Sequence, residues 1–267
     1  MARITRFAPS PTGPLHLGHA FAAMVAAARG DRFLLRIEDI DRTRCKPEWE
    51  TQIYDDLQWL GLDFERPVLR QSAHQPAYDV ALAHLTARGL TYHCTCTRTD
   101  IRAALSAPQE GTDGPIYPGT CRESGHEVGA LRLNLTKAAR LLSDLSFTET
   151  GTHPGAYRFN PAQLIQSTGD VILQRRDTGV AYHLAVVVDD AAQQITEITR
   201  GEDLFAVTPL HVALQRLLDV PTPLYHHHRL IRDDQGKRLA KRDDAQALSK
   251  YRAEGCTPAD IRAKVGL

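Results

Sequence analysis

Apolar residues in this chain fall into two alternating patterns, and their order predicts the architecture. A short run ending at Phe7 reads as a strand, and residues 20–28 (AFAAMVAAA) are strong helix formers that stop at Gly30. Residues 32–37 (RFLLRI) form a second strand-like run. Over residues 48–60 the spacing sets Trp49, Ile53, Leu57 and Leu60 on one helical face, with Gly61 as the stop. A further helix covers 78–88 and ends at Gly89. Strand, helix, strand, helix is the order of a doubly wound α/β domain.

The alternation breaks between about 90 and 161. Cys94-x-Cys96 opens this stretch, residues 107–119 are rich in Pro and Gly, Cys121 follows, and residues 130–135 (ALRLNL) are strand-like. Such a stretch reads as an insertion between two halves of a sheet. From Gly169 the main pattern resumes: residues 171–174 and 180–184 flank Arg175-Arg176-Asp177-Thr178-Gly179, a hairpin signal. Residues 182–190 read as a buried strand or a helix start, too short for the period to decide. Residues 195–199 alternate as a strand, and Thr208-Pro209 reads as N-cap and first helical residue of a helix through Leu218. The expected division is a catalytic domain in two halves, 1–89 and 162–235, an inserted subdomain at 90–161, and a loop with a short helical tail at 236–267.

The 267 residues suffice for one large domain or for a domain with an insertion. Acidic and basic residues balance at 32 each, so an RNA partner would have to be held by local patches and not by total charge. Prolines follow Arg3 and Arg6 where a secretory signal would have an apolar core, and the run at 20–28 is too short to cross a bilayer. Five cysteines without such a signal suggest a reducing compartment, with the cytoplasm as the expectation and no membrane partner.

The chain is organised around Arg6-Phe7-Ala8-Pro9-Ser10-Pro11-Thr12-Gly13-Pro14-Leu15-His16-Leu17-Gly18-His19. The prolines bar regular pairing, Gly13 supplies a turn, and the histidines fall where a helix begins. Free backbone N–H groups and the helix dipole make that a site for phosphates, with two imidazoles to share the charge. Gly18 lets a flat base approach the backbone. His16-Leu17-Gly18-His19 resembles the HIGH signature of class I aminoacyl-tRNA synthetases, and Arg6 to Gly13 is similar to the glutamate-specific lead into it. The resemblance implies a Rossmann-like catalytic domain, with ATP bound at His16, Gly18 and His19.

Glu38-Asp39-Ile40-Asp41 follows the second strand-like run, at the edge where open α/β sheets bind ligands. In the resemblance Glu38 contacts the substrate amino group. Arg6, Tyr182 and Arg200 are each expected at a strand end on the same edge. Two guanidiniums, a phenol and a carboxylate suit an amino acid with two carboxylates. The resemblance assigns glutamate to these residues together with Phe7, Ala8, Pro9 and Ser10. Gly236-Lys237-Arg238-Leu239-Ala240-Lys241-Arg242 resembles the KMSKS loop, with Arg238 for its first lysine and Ala240 for its serine. Lys241 matches the lysine that steadies ATP phosphates, and Mg2+ is expected with ATP. By the same resemblance His226-His227-His228 lies on a strand leading to this loop and is not read as a metal site.

Cys94, Cys96 and Cys121 are a zinc candidate, and zinc favours four tetrahedral ligands. Related truncated synthetases use Cys-x-Cys…Tyr-x-x-x-Cys, which Tyr117 to Cys121 matches; His93, His126 or water are the alternatives for the fourth position, and reduced cysteines without metal the alternative for the whole. The resemblance runs from Arg3 past Arg242, and residues 243–267 leave room for only about two short helices. The expectation is a chain without an anticodon-binding domain. Truncated relatives of this kind activate L-glutamate with ATP and attach it to the queuosine base at the wobble position of tRNA(Asp). A ligase acting as a monomer on these partners is therefore expected. The alternatives are a truncated enzyme charging the 3′ end of tRNA(Glu), a nucleotidyltransferase without RNA, and a non-catalytic RNA-binding paralogue.

Overall fold

The structure is a computed structural model, and it describes residues 2–103, 116–177, 179–232 and 246–267. The chain runs β1 (Ile4–Phe7), α1 (Leu17–Arg29), β2 (Arg32–Ile37), α2 (Pro47–Trp59), β3 (Glu65–Arg70), α3 (Gln75–Ala87), β4 (Thr91–Cys94) and α4 (Arg98–Ala103). It continues with β5 (Ala130–Leu133), α5 (Leu135–Leu141), β6 (Leu145–Glu149), β7 (Gly155–Phe159), α6 (Gln163–Ser167), β8 (Ile172–Arg175) and β9 (Gly179–Val180). The last part is α7 (Tyr182–Ala192), β10 (Glu197–Gly201), α8 (Thr208–Leu217), β11 (Leu224–His228), α9 (Leu248–Ala253) and α10 (Pro258–Lys264).

Strands β1, β2 and β3 pair in parallel, as do β10, β11 and β6, with β7 antiparallel at the outer edge. These two sheets meet along β1 and β10. The Thr196 amide donates to the Ile4 carbonyl at 3.0 Å, and the Ile4 amide donates to Thr196 Oγ1 at 2.8 Å. The strand order thus reverses at β1/β10, which is the switch point where doubly wound sheets bind ligands beyond their carboxyl ends. The α/β class expected from the sequence is the class observed.

A third sheet, β4-β5-β8-β9, is antiparallel. The stretch 90–161 contributes to two sheets: β4 pairs with β5 and β5 with β8, while the β6–β7 hairpin joins β11 through Glu149 and Tyr225.

Two apolar clusters hold these layers. Tyr78, Leu85, Leu184, Leu214, Leu217 and Tyr225 belong to one, where α3, α7 and α8 pack; Met24, Leu35, Ile53, Leu57, Leu248 and Ile261 belong to the other, which includes α1, α2 and the C-terminal helices. Burial of such faces is the main favourable contribution to the fold.

Three local expectations change. The second arm of the hairpin is only Gly179–Val180, and the chain turns into helix α7 at Tyr182, so Tyr182 sits at a helix start and not at a strand end. Thr208 is not the N-cap of α8: a 3-10 turn at Glu202–Val207 feeds the helix directly, and the Thr208 hydroxyl accepts from Arg200 instead. Trp49 is only half-buried, while Asp56 joins Ile53 and Leu57 on the buried face of α2. Among the described residues no helix is long and apolar enough to cross a membrane.

Gly129 leads into β5 with φ +132, and a Cβ there would collide with the Cys94 carbonyl. Gly129→Ala is expected to destabilise the protein by about 1–3 kcal/mol, measured by urea denaturation, and an unchanged midpoint would contradict this close approach.

Candidate active site and cysteine cluster

Four strand ends enclose a cleft of about 540 Å3. Arg6 to Ser10 continue β1, Glu38 follows β2, Thr199 to Gly201 end β10, and His228 to Ile231 end and follow β11. His16, Gly18 and His19 line it from the start of α1, and Tyr182 from the start of α7. Every candidate glutamate or ATP residue from the sequence lines this one cleft except Lys241, which lies outside the described residues together with 233–245.

The two histidines are set by their own backbone. His16 is the N-cap of α1, and its Nδ1 accepts the Gly18 amide at 3.1 Å. His19 Nδ1 accepts the His16 amide at 3.2 Å, and the rings lie 3.8 Å apart. With both Nδ1 atoms accepting, each neutral ring carries its proton on Nε2 and can donate from there. Gly18 has a local reason as well: a Cβ there would meet the His16 ring at 3.0 Å.

Three buried guanidiniums stand around the cleft, and they differ in partners. Arg6 donates from Nε to Asp190 Oδ1 at 2.9 Å, from Nη2 to Asp190 Oδ2 at 3.3 Å, and from Nη1 to the Thr199 carbonyl at 2.9 Å. Arg36 is fully buried and donates to Asp190 at 2.6 Å and to Glu38 at 3.1 Å. Burial alone would raise the Asp190 carboxyl, but Arg6 and Arg36 hold it below the ordinary carboxylate range. Burial pushes Glu38 the other way, above its ordinary value, despite Arg36.

Arg200 is 8% exposed, and among the described residues no carboxylate pairs with it. Its Nε donates to His227 Nε2 at 3.0 Å, its Nη1 to His211 Nδ1 at 2.9 Å and its Nη2 to Thr208 Oγ1 at 2.7 Å. Burial, with neighbouring charge, lowers its own basicity and holds its histidine neighbours neutral. First burial and then Arg200 push His183 and His227 down to about 4. A buried cation without a paired anion is an electrostatic vacancy that favours an anionic ligand.

A second cleft of about 240 Å3 shares Ser10, Thr12, Glu38 and Tyr182 with the first and reaches Asp41, Arg44, Gln71 and Arg175. Glu38 and Tyr182 therefore form the wall between two polar spaces.

Away from the clefts, Cys94, Cys96 and Cys121 place their sulfurs within 4.8 Å of one another. The Tyr117 hydroxyl lies 3.4 Å from Cys94 Sγ and 3.6 Å from Cys96 Sγ, and accepts the Cys121 amide at 2.9 Å. Arg132 stacks its guanidinium 3.8 Å from the centre of the Tyr117 ring. Three thiols with a fourth oxygen donor beside them could hold a metal ion such as zinc, whose preference is sulfur and nitrogen or oxygen in a tetrahedron. His93 and His126 stand apart from this group: His126 Nε2 meets Thr95 at 3.2 Å, and His93 Nδ1 is buried without a hydrogen-bond partner.

Comparison with known proteins bears on the same elements. A family model described as tRNA synthetases class I (E and Q), catalytic domain, matches residues 3–267. The chain belongs to this family. A Rhodobacter capsulatus protein named glutamyl-Q tRNA(Asp) synthetase is 60% identical over 99% of this chain and 100% of its own length. A Nocardia farcinica protein of the same name is 41% identical over 97% of this chain and 82% of its own. The fold is similar to a glutamate-tRNA synthetase from Elizabethkingia anophelis, with TM-score 0.73 at 24% identity, covering 99% of this chain and 61% of that one. The chain thus spans about three-fifths of the length of that solved synthetase.

In the lining of the cleft, the sequence alone missed Thr199 and His228 to Ile231, and behind it the paired Arg36 and Asp190. The strand-end rule that located Glu38 would also have pointed to His228 to Ile231, since they leave β11 at the same edge. Arg36 carried a weaker signal, a charge inside the apolar run of β2.

The neutral histidines make stability depend on pH. An unfolded histidine titrates near 6.5, and His183 and His227 do so at about 4 in the fold, so the unfolded chain binds more protons between those values. Their contribution is complete above the upper value and is lost as pH falls toward the lower. Urea denaturation is expected to give an unfolding free energy lower at pH 5 than at pH 7 by about 1–2 kcal/mol per histidine, and equal values would contradict their neutrality.

Proposed function

We infer that the chain activates L-glutamate with ATP as glutamyl-adenylate and transfers the glutamyl group to the queuosine base at the wobble position of tRNA(Asp). The observation that carries this reading is the 60% identity extending over the whole length of a glutamyl-Q tRNA(Asp) synthetase. The cleft supports it: an unpaired cation suited to a carboxylate lies beside a helix start with two imidazoles suited to phosphates.

In this reading the substrate side-chain carboxylate meets Arg200, with the segment Arg6 to Ser10 and Tyr182 closing the pocket, and the ammonium faces Glu38. A guanidinium without a counter-anion separates glutamate from glutamine, because an amide brings no charge to neutralise it. The α-carboxylate attacks the α-phosphate in line, and pyrophosphate leaves. His16 and His19 donate from Nε2 to phosphate oxygens, and Gly18 lies under the nucleotide. Lys241 stabilises the same charge; Ile231, just before 233–245, lines the cleft, and Ala247, just after, bridges to His16. Mg2+ enters with ATP. A queuosine hydroxyl then attacks the glutamyl carbonyl, the bond to the adenylate phosphate breaks, AMP leaves with the hydroxyl proton released, and neither step calls for a side-chain nucleophile.

Zinc bound by Cys94, Cys96, Cys121 and Tyr117 is structural in this reading, tying β4 to the loop that carries Cys121. The division into halves 1–89 and 162–235, an insert at 90–161 and a tail at 236–267 is kept as part of the proposal, with a cytoplasmic setting and a monomeric enzyme.

The direct assay supplies labelled glutamate and ATP with queuosine-containing and queuosine-lacking tRNA(Asp). Label is expected only on the queuosine-containing RNA and on its modified nucleoside. Label on a terminal adenosine, or on tRNA(Glu), would overturn the assignment. Arg200→Ala is expected to raise the KM for glutamate at least about tenfold with little change for ATP, and equal changes in both would count against its role. Lys241→Ala should slow adenylate formation by about two orders of magnitude. Cys94→Ser should lose bound metal while retaining glutamate-dependent pyrophosphate exchange; a wild-type protein without stoichiometric zinc would refute the metal site.

A further inference from the structure

We propose that Glu149 is the positioning residue that keeps Arg200 available to a substrate carboxylate, acting through His227 and a line of histidine tautomers behind it. The inference rests on the reading of Arg200 given above and adds what makes that arginine selective.

Glu149 ends β6, next to β11, and is 2% exposed. Its Oε2 lies 2.5 Å from His227 Nδ1, and its Oε1 accepts the amides of His227 at 2.9 Å and Gly151 at 2.6 Å. That approach requires glycine at 151, where a Cβ would collide with the His227 carbonyl. A carboxylate so placed accepts a proton-bearing Nδ1, which leaves His227 Nε2 as a bare lone pair. Arg200 Nε donates to it at 3.0 Å. On the other side His211 Nδ1 accepts from Arg200 at 2.9 Å, so its proton sits on Nε2, which faces His183 Nδ1 at 3.1 Å. The donors therefore run outward from Arg200, toward Glu149 through His227 and toward His183 through His211.

Aromatic rings lock the key member of this line. The Tyr225 ring lies parallel to His227 at 6.0 Å, and Phe205 meets it edge-on at 5.1 Å. The result is a guanidinium fixed by three neutral acceptors, with the Glu149 carboxylate held one imidazole away. Were a carboxylate placed directly on Arg200, as Asp190 is on Arg6, the cation would already be neutralised and a neutral amide substrate would lose less by comparison.

The test is Glu149→Gln. A carboxamide in this cage presents its NH2 either to two backbone amides or to His227 Nδ1, and the second arrangement reverses the His227 tautomer, turning an N–H toward Arg200. The expected result is a KM for glutamate raised at least about tenfold, a KM for ATP within about twofold, and a smaller preference for glutamate over glutamine. Nitrogen-15 NMR of the imidazoles in the free protein provides the second readout, independent of catalysis. The wild type is expected to show a protonated Nδ1 on His227 and a protonated Nε2 on His211, and the variant a protonated Nε2 on His227. An unchanged KM for glutamate in the variant, a parallel rise for ATP, or a wild-type His227 protonated on Nε2 would each overturn the proposal. Should the wild type show these tautomers yet fail to activate glutamate, the functional reading fails while the positioning of Arg200 stands.

Discussion

Taking a guanidinium out of water requires something to stand in for its hydration, and this cleft answers the requirement in two ways. Asp190 bridges Arg6 and Arg36, and Glu38 and Asp189 also pair with Arg36, which ties β1, β2 and α7 together. Arg200 receives lone pairs in place of an anion. The contrast matters because both kinds of arginine lie in the same low-dielectric surroundings, where an unpaired charge is costly and its pairing correspondingly strong. The fold carries that cost, and an anionic ligand at Arg200 would relieve it.

The sheet topology puts this contrast where a ligand can use it. Because the parallel order reverses between β1 and β10, the carboxyl ends of β1, β2, β10 and β11 diverge around one space. The start of α1 closes that space with two imidazoles whose tautomers are set by their own helix turn. One side of the cleft therefore offers positive charge without a counter-ion, and the other offers N–H donors at a helix N-terminus. Membership of the class I Glu/Gln tRNA synthetase family accords with a cleft divided in this way between an acidic amino acid and a nucleotide.

Much of this was legible in the chain because its causes are local. The stretch from Arg6 to His19 combines prolines, a glycine turn and a helix start, and each acts within a few residues. The cysteines at 94, 96 and 121 announce themselves by residue type, and the structure brings them together with Tyr117 alongside. What the chain could not show was set by distant partners. Arg36 and Asp190 are 154 residues apart, and Glu149 and His227 are 78 apart. Thr208 is instructive: Thr-Pro is a sound capping signal, yet Arg200 claims the hydroxyl and a 3-10 turn removes the need for a cap. Tyr182 was ambiguous for another reason, since a buried apolar run of that length fits a strand or a helix equally well.

Selectivity turns on which arginine meets the acidic substrate. A crystal structure of the enzyme with a non-hydrolysable glutamyl-adenylate analogue decides it most directly. The expected structure has the analogue's side-chain carboxylate in hydrogen-bond contact with Arg200, while Arg200 keeps His227 and Asp190 keeps Arg6 and Arg36. A carboxylate that instead displaced Asp190 from Arg6, leaving Arg200 with only His227, His211 and Thr208, would contradict the account.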